Sequence, residues 1–186
     1  MRDRIITSFI DLSSKKGFYK TTMDELASAA GISKRTVYSY FKSKDELIET
    51  VIDNVLNGIG EEIDSILKEY KSADEIFEHL PKAFYEFTST IFTPLIIEEL
   101  QQQYPRYWEK INNFRLIKVK KAIDIVLEND KSKYDHRIIS AIVLSSLQAV
   151  VNPDFLISNN IRFDTAVKEL VRFYKYGFSS CINYNE

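Results

Sequence analysis

A chain of 186 residues, 45% hydrophobic and 28% charged, has the composition to bury a core, and its length suits one large domain or two small ones. Five Gly and four Pro are too few for a loop-rich or many-turned β protein, and one Cys (Cys181) excludes an internal disulfide or a multi-Cys metal site. The net charge of −2 excludes a uniformly basic nucleic-acid binder, but residues 1–50 hold nine Lys/Arg against seven Asp/Glu, while residues 51–186 hold sixteen against twenty. No apolar run approaches the roughly 18 residues that span a bilayer, and the N-terminus lacks a cleavable leader. A cytoplasmic protein without a membrane partner is expected.

Taken in chain order, Ile5, Ile6, Phe9, Ile10 and Ser13 mark one face of a first helix that Gly17 is expected to end. Three helix starts follow in quick succession. Thr22 with Glu25 and Ser43 with Glu46 are capping boxes, and Ser33 is a good N-cap. They predict short helices over about 23–30 and 34–40, then a long one from about Lys44. That helix carries Leu47, Ile48, Val51, Ile52, Val55, Leu56, Ile59, Ile63, Ile66 and Leu67 at spacings of three and four. Gly58 and Gly60 lie inside it as an expected soft point. Further helices are predicted over about 73–91, 94–103, 105–129, 135–151 and 163–181, with 130–133 and 152–162 as loops. Pro94 suits a first helical turn. The fold class is all-α: a head of residues 1–46 joined to a bundle of residues 47–186.

Two short helices joined at Gly31 must cross steeply. Ala27 permits close approach, Gly31 can adopt the left-handed turn, and Leu26, Ala30, Ile32 and Val37 supply a shared core. Together these requirements define a helix-turn-helix. In such a motif the second helix enters the major groove of DNA with its N-terminal residues at base edges. Lys34, Arg35 and Thr36 occupy that end, in a stretch (33–44) holding four cations and no anion. Arg35 can bond guanine bidentately, or Lys34 can donate to its acceptors. Tyr38, Ser39 and Tyr40 add hydroxyls. Thr22, Ser33 and Lys44 stand at helix N-termini, which favour phosphate. Each has a plainer alternative as a cap or a packing residue.

The run D-E-L-A-x-x-A-G-I-S-K-R-T-V-Y-x-Y-F-x-S-K-D-E-L over 24–47, preceded by G-F-Y-K-T-T over 17–22, resembles the TetR family of transcriptional regulators. The resemblance covers about a quarter of the chain. It implies that Thr22, Lys34, Arg35, Thr36, Tyr38, Ser39, Tyr40 and Lys44 contact a double-stranded operator. Arg35 stands where relatives often carry Gly, and Tyr40 where they often carry His, which leaves the operator sequence open.

The same resemblance implies a bundle that binds a small-molecule effector and forms a homodimer through its last two long helices. Ile138, Ile142, Leu147, Leu170, Phe173 and Tyr174 offer apolar surface for that face. Phe84, Phe87, Phe92, Tyr104, Tyr107, Trp108 and Phe114 are the candidate pocket lining, with core packing as the plainer reading. Glu98 or Glu99 could face a cationic compound, although one of an adjacent pair must point away from any given site. His79 and His136 are isolated, so neither a metal nor a cofactor is expected. Without a phosphate loop, nucleophile elbow or metal motif, no enzyme is expected either. The expectation is a homodimeric repressor released by a small molecule. The alternative is a DNA-binding protein of the same fold without such a ligand, responding to a protein or acting architecturally.

Overall fold

The computed structural model describes residues 1–70, 72, 75, 76, 78, 79, 91–129, 135–150 and 152–182. Among these residues the chain is helical without a strand: α1 (Arg2–Lys20), α2 (Met23–Ala29), α3 (Lys34–Tyr40), α4 (Lys44–Glu69), α5 (Pro94–Gln102), α6 (Pro105–Asn129), α7 (His136–Val150), α8 (Pro153–Ser158) and α9 (Phe163–Ile182). The helix predicted over 73–91 falls largely outside the described residues, as do Phe84 and Phe87.

Caps set the boundaries of the head. The Thr22 hydroxyl accepts from the Glu25 amide while the Glu25 carboxylate accepts from the Thr22 amide, closing the first capping box. Ser33 caps α3 by accepting from the Thr36 amide at 3.0 Å. Ser43 accepts from the Glu46 amide at 3.1 Å, but the Glu46 carboxylate reaches one residue further, to the Lys42 amide. Gly31 sits at φ +60° between α2 and α3, the left-handed turn that makes the two helices cross.

Ile5, Phe9, Phe18, Leu26, Val37 and Phe41 are buried beneath the head. They join the buried stripe of α4 in one core that continues to Ile96, Leu100 and Tyr107. Each such side chain contributes about 1.5–3 kcal/mol of burial, so α4 is anchored along its length to both the head and the bundle.

At Gly17 (φ +86°, ψ 165°) the helical path of α1 breaks, where the sequence places its end, and a short further stretch follows to Lys20. α4 runs helical through Gly58 and Gly60 to Glu69; Gly60 is buried where α6 crosses, and a Cβ there would stand 3.2 Å from the Phe114 ring. One sequence expectation is corrected. The expected loop over 152–162 contains α8, with Pro153 in its first turn and the Asn152 side chain accepting from the Asp154 amide at 2.8 Å. The Pro–Asp–Phe stretch is too short to show a periodicity, which is why it read as a loop.

Candidate nucleic-acid interface

The outer face of α3 is held by its inner one. Val37 and Phe41 are fully buried, which fixes the rotation of α3 and turns Lys34, Arg35, Tyr38, Ser39 and Tyr40 outward. Arg35 is exposed and has no hydrogen bond or ion pair among the described residues. Tyr38 and Tyr40 are each 43% exposed, an unusual position for two large aromatics on a seven-residue helix. These three side chains are free to meet base edges or phosphates.

The other sequence-predicted contacts already have partners. The Lys34 ammonium donates to the Asp24 carboxylate at 2.8 Å across the turn, and that bond raises its pKa. The pair is exposed, so a phosphate can compete for the cation at little cost. The Ser39 hydroxyl donates to the Thr36 carbonyl at 2.7 Å, and the Thr36 and Ser33 hydroxyls lie 2.8 Å apart. Thr22 also donates its hydroxyl to Glu25 at 2.7 Å. The Glu25 carboxyl is held down to about 2, first by its bond to Lys16 and then by Thr22.

Lys44 is the expected phosphate contact at the start of α4. Its ammonium donates to the Tyr19 carbonyl at 2.7 Å, in the last turn of α1. Burial there lowers its pKa, partly opposed by Glu99. The opposite side of the same residue is held from the bundle: the Tyr19 amide donates to the Glu99 carboxylate at 3.1 Å. Glu99 is buried in α5, and a Cβ on Gly17 would fall inside its carboxylate. Glu99 therefore ties head to bundle rather than facing a cationic compound, and the Gly17 kink makes room for it.

A second tie runs from α6 to the start of α4. The buried Tyr107 hydroxyl donates to the Asp45 carbonyl at 2.9 Å, and Arg106 pairs with the Asp45 carboxylate and with the Tyr107 oxygen. Burial, with the nearby Asp45, pushes the Tyr107 hydroxyl up to about 12. Tyr104 stands edge-on to Phe18, with ring centres 6.4 Å apart. Phe114 lies over Gly60, with the Lys118 ammonium 5.7 Å from its ring centre. Tyr104, Tyr107 and Phe114 thus face α1 and α4. Phe92 is buried, and Trp108 is half-buried against the common core. Phe84 and Phe87, the rest of the predicted lining, lie outside the described residues.

Of the proposed dimer-face residues, Ile138, Ile142 and Phe173 are more than half exposed. Leu147 is buried within the subunit beside Val167, with Leu170 packed on the pair, and the half-buried Tyr174 hydroxyl meets Ser146. The sequence reading also passed over Arg4, whose guanidinium reaches the α2–α3 turn beside Gly31. Its signal was a pair of arginines in the first turn of α1. Among the described residues no three His, Cys, Asp or Glu side chains gather as for a metal, and no helix is long and apolar enough to cross a membrane.

A compact three-helix head that presents one polar helix face, braced on a long helix of a bundle, defines the helix-turn-helix DNA-binding regulators. Residues 5–51 match the bacterial regulatory proteins of the tetR family. The HTH-type transcriptional regulator YerO of Bacillus subtilis is 51% identical over 47 residues, which are 25% of this chain and 16% of YerO. IcaR of Staphylococcus aureus, a negative transcriptional regulator of the biofilm operon icaADBC, is 41% identical over 49 residues, 26% of each chain. The chain thus spans 16% of YerO and 26% of IcaR.

Solved structures extend the likeness to the bundle. A transcriptional regulator from Aquifex aeolicus superposes with a TM-score of 0.66 at 22% identity, over 94% of this chain and 98% of that one. FadR from Bacillus subtilis, solved with stearoyl-CoA, gives 0.58 at 17% identity, over 92% and 96%. At these identities the shared property is the fold. Residues 5–51 thus form a DNA-binding head like that of the tetR family, and the fold of the chain is like that of solved transcriptional regulators.

Proposed function

We propose that the protein is a homodimeric repressor in the cytoplasm that occupies an operator through two copies of α3 and is released when a small molecule enters the bundle. Residues 1–46 act as the reading head and residues 47–186 as the ligand-binding and dimerising part. The observation that carries the reading is the outer face of α3: a free Arg35 beside exposed Tyr38 and Tyr40, fixed in rotation by buried Val37 and Phe41. Arg35 reads a guanine, the tyrosines and Thr36 contact neighbouring bases or phosphates, and Thr22, Ser33, Lys34, Ser39 and Lys44 set register on the backbone.

Dimerisation is supported by exposed Ile138, Ile142 and Phe173 on α7 and α9, and by the small area that one head buries on DNA. Repression is supported by the likeness of the head to IcaR, and a ligand by the likeness of the fold to a protein solved with stearoyl-CoA. The two ties at Tyr19 and Asp45 give the bundle a grip on the head. Ligand that shifts α5 or α6 moves both, so effector and operator oppose each other reciprocally.

The test is selection of binding sites from a random duplex library by the purified chain. A palindromic site with two half-sites about one helical turn apart is expected. Recovery of unrelated sequences, or of no sequence above background, overturns the reading.

A further inference from the structure

The outer side of α6 exposes Glu109, Asn113, Lys120 and Asp124 together with Leu116 and Ile117. Its inward arc is Trp108, Asn112, Arg115, Val119, Ala122 and Val126, at alternating spacings of four and three that place all six on one side of the helix. Four of the six do what an inward arc should: Trp108, Ala122 and Val126 join the main core, and Val119 packs with Leu147 and Val167. The two in the middle do not. Arg115 carries a permanent charge on this arc, yet has no hydrogen bond or ion pair among the described residues. Burial alone lowers its pKa, with no carboxylate to oppose it. One turn away, the Asn112 side-chain oxygen is buried without a hydrogen-bond partner.

The contrast with the rest of α6 is informative. Arg106 pairs with Asp45, Lys110 with Asp53, and Lys118 and Lys121 with Asp64. The helix therefore matches to carboxylates the cations that meet α4; of the two left without an ion pair among the described residues, Lys120 is exposed to solvent and Arg115 lies on the apolar arc. A desolvated charge and an orphaned carbonyl both destabilise the empty protein. A fold retains them where something outside the chain completes them.

We propose that Arg115 and Asn112 form the head-group site for an anionic amphiphile. An oxyanion of the ligand, carboxylate or phosphate, pairs with the Arg115 guanidinium. A hydroxyl or amide N–H of the same molecule donates to the Asn112 oxygen, and the apolar body lies along Trp108 and Val119. The inference rests on the reading that the bundle takes a small ligand, and names that ligand's chemistry.

Trp108 is the only tryptophan in the chain and lies on the same arc, so its fluorescence reports the site directly. The full-length protein is titrated with 3-hydroxydodecanoate, dodecyl phosphate, dodecanol and dodecyltrimethylammonium, each below micelle formation. The expected result is a Trp108 response to one or both anions at an affinity about tenfold or more above that of dodecanol. The carboxylate and phosphate arms separate the two sources of the oxyanion. Arg115→Gln removes that advantage and leaves dodecanol unchanged, Arg115→Lys retains part of it, and Asn112→Leu weakens the hydroxy acid alone.

Thermal unfolding without ligand separates this from a structural role. Arg115→Leu and Asn112→Leu keep or raise Tm if the polar groups serve a ligand. A fall of several degrees, or anion binding unaltered by Arg115→Gln, overturns the proposal. If the neutral or cationic amphiphile binds as tightly as the anions, the anion site fails while ligand binding by the bundle stands. If no member changes the fluorescence or Tm, both fail.

Discussion

In the head, charge lies outside and the core is apolar: Lys34 with Asp24 and Lys16 with Glu25 are surface pairs over buried Leu26, Val37 and Phe41. In the bundle, charge has moved inward. Glu99 is buried against the Tyr19 amide, and Arg115 sits on the inward arc of α6. The head works on a partner that arrives at its surface, and needs only rigidity beneath it. On the proposed function the bundle senses a ligand and passes the result to the head, and its polar groups sit between helices, where a change of occupancy would move one. The two regions meet at Tyr19, whose carbonyl is held by Lys44 and whose amide is held by Glu99.

The largest effect that tests this division concerns the exposed apolar face. Replacing Ile142 and Phe173 together by Asp is expected to give a monomer in analytical ultracentrifugation and to weaken operator binding by about 100-fold or more, through loss of the linked second head. A dimer that survives this change uses some other face.

Next is the junction. Gly17→Ala strains a backbone conformation that only Gly adopts readily and displaces the Glu99 carboxylate; a loss of about 3 kcal/mol in urea unfolding is expected. Glu99→Gln should retain most stability yet weaken the response of operator affinity to effector. If Gly17→Ala is neutral, the junction is not the tight contact between head and bundle described here.

Within the head, Arg35→Ala is expected to relax preference at one base position by about 1–3 kcal/mol, measured with single-substitution operators. Lys44→Ala should reduce the salt dependence of binding to every duplex by about one unit of slope. If Lys44→Ala changes Tm but not the slope, Lys44 serves only as the tie to Tyr19.

The smallest effect is the acid limb. The Glu25 carboxyl titrates at about 2 in the folded protein, below its ordinary value near 4.5. Its contribution is thus fully present above that ordinary value and disappears as pH falls toward the folded one. The stability difference between the native protein and Glu25→Gln should narrow between pH 5 and about pH 2 in urea titrations, whereas a constant difference would show that Lys16 and Thr22 do not hold the carboxylate.

The head was readable from the sequence because its rules are local. Thr22 to Glu25, Ser33 to Thr36 and the turn at Gly31 each lie within a few residues of one another, and the caps mark the boundaries directly. Exposure of Arg35 follows from the burial of Val37, two positions away on the same helix. Long-range partners were not readable. Lys44 to Tyr19 spans 25 residues and Glu99 to Tyr19 spans 80, and neither carries a sequence spacing. That Tyr107 and Phe114 face α4 while Trp108 packs on the core carries no sequence spacing either.

Composition, capping residues and the three-four repeat of apolar side chains were sufficient to define an all-α chain with a helix-turn-helix at its start, since hydrogen bonds within one helix and the burial of one helical stripe depend on neighbours close in sequence. Which polar groups became partners was decided by the crossing of α1, α4, α5 and α6. Packing alone determines that Glu99 meets an amide from another helix while Arg115, also charged and on an inward arc, meets no partner among the described residues.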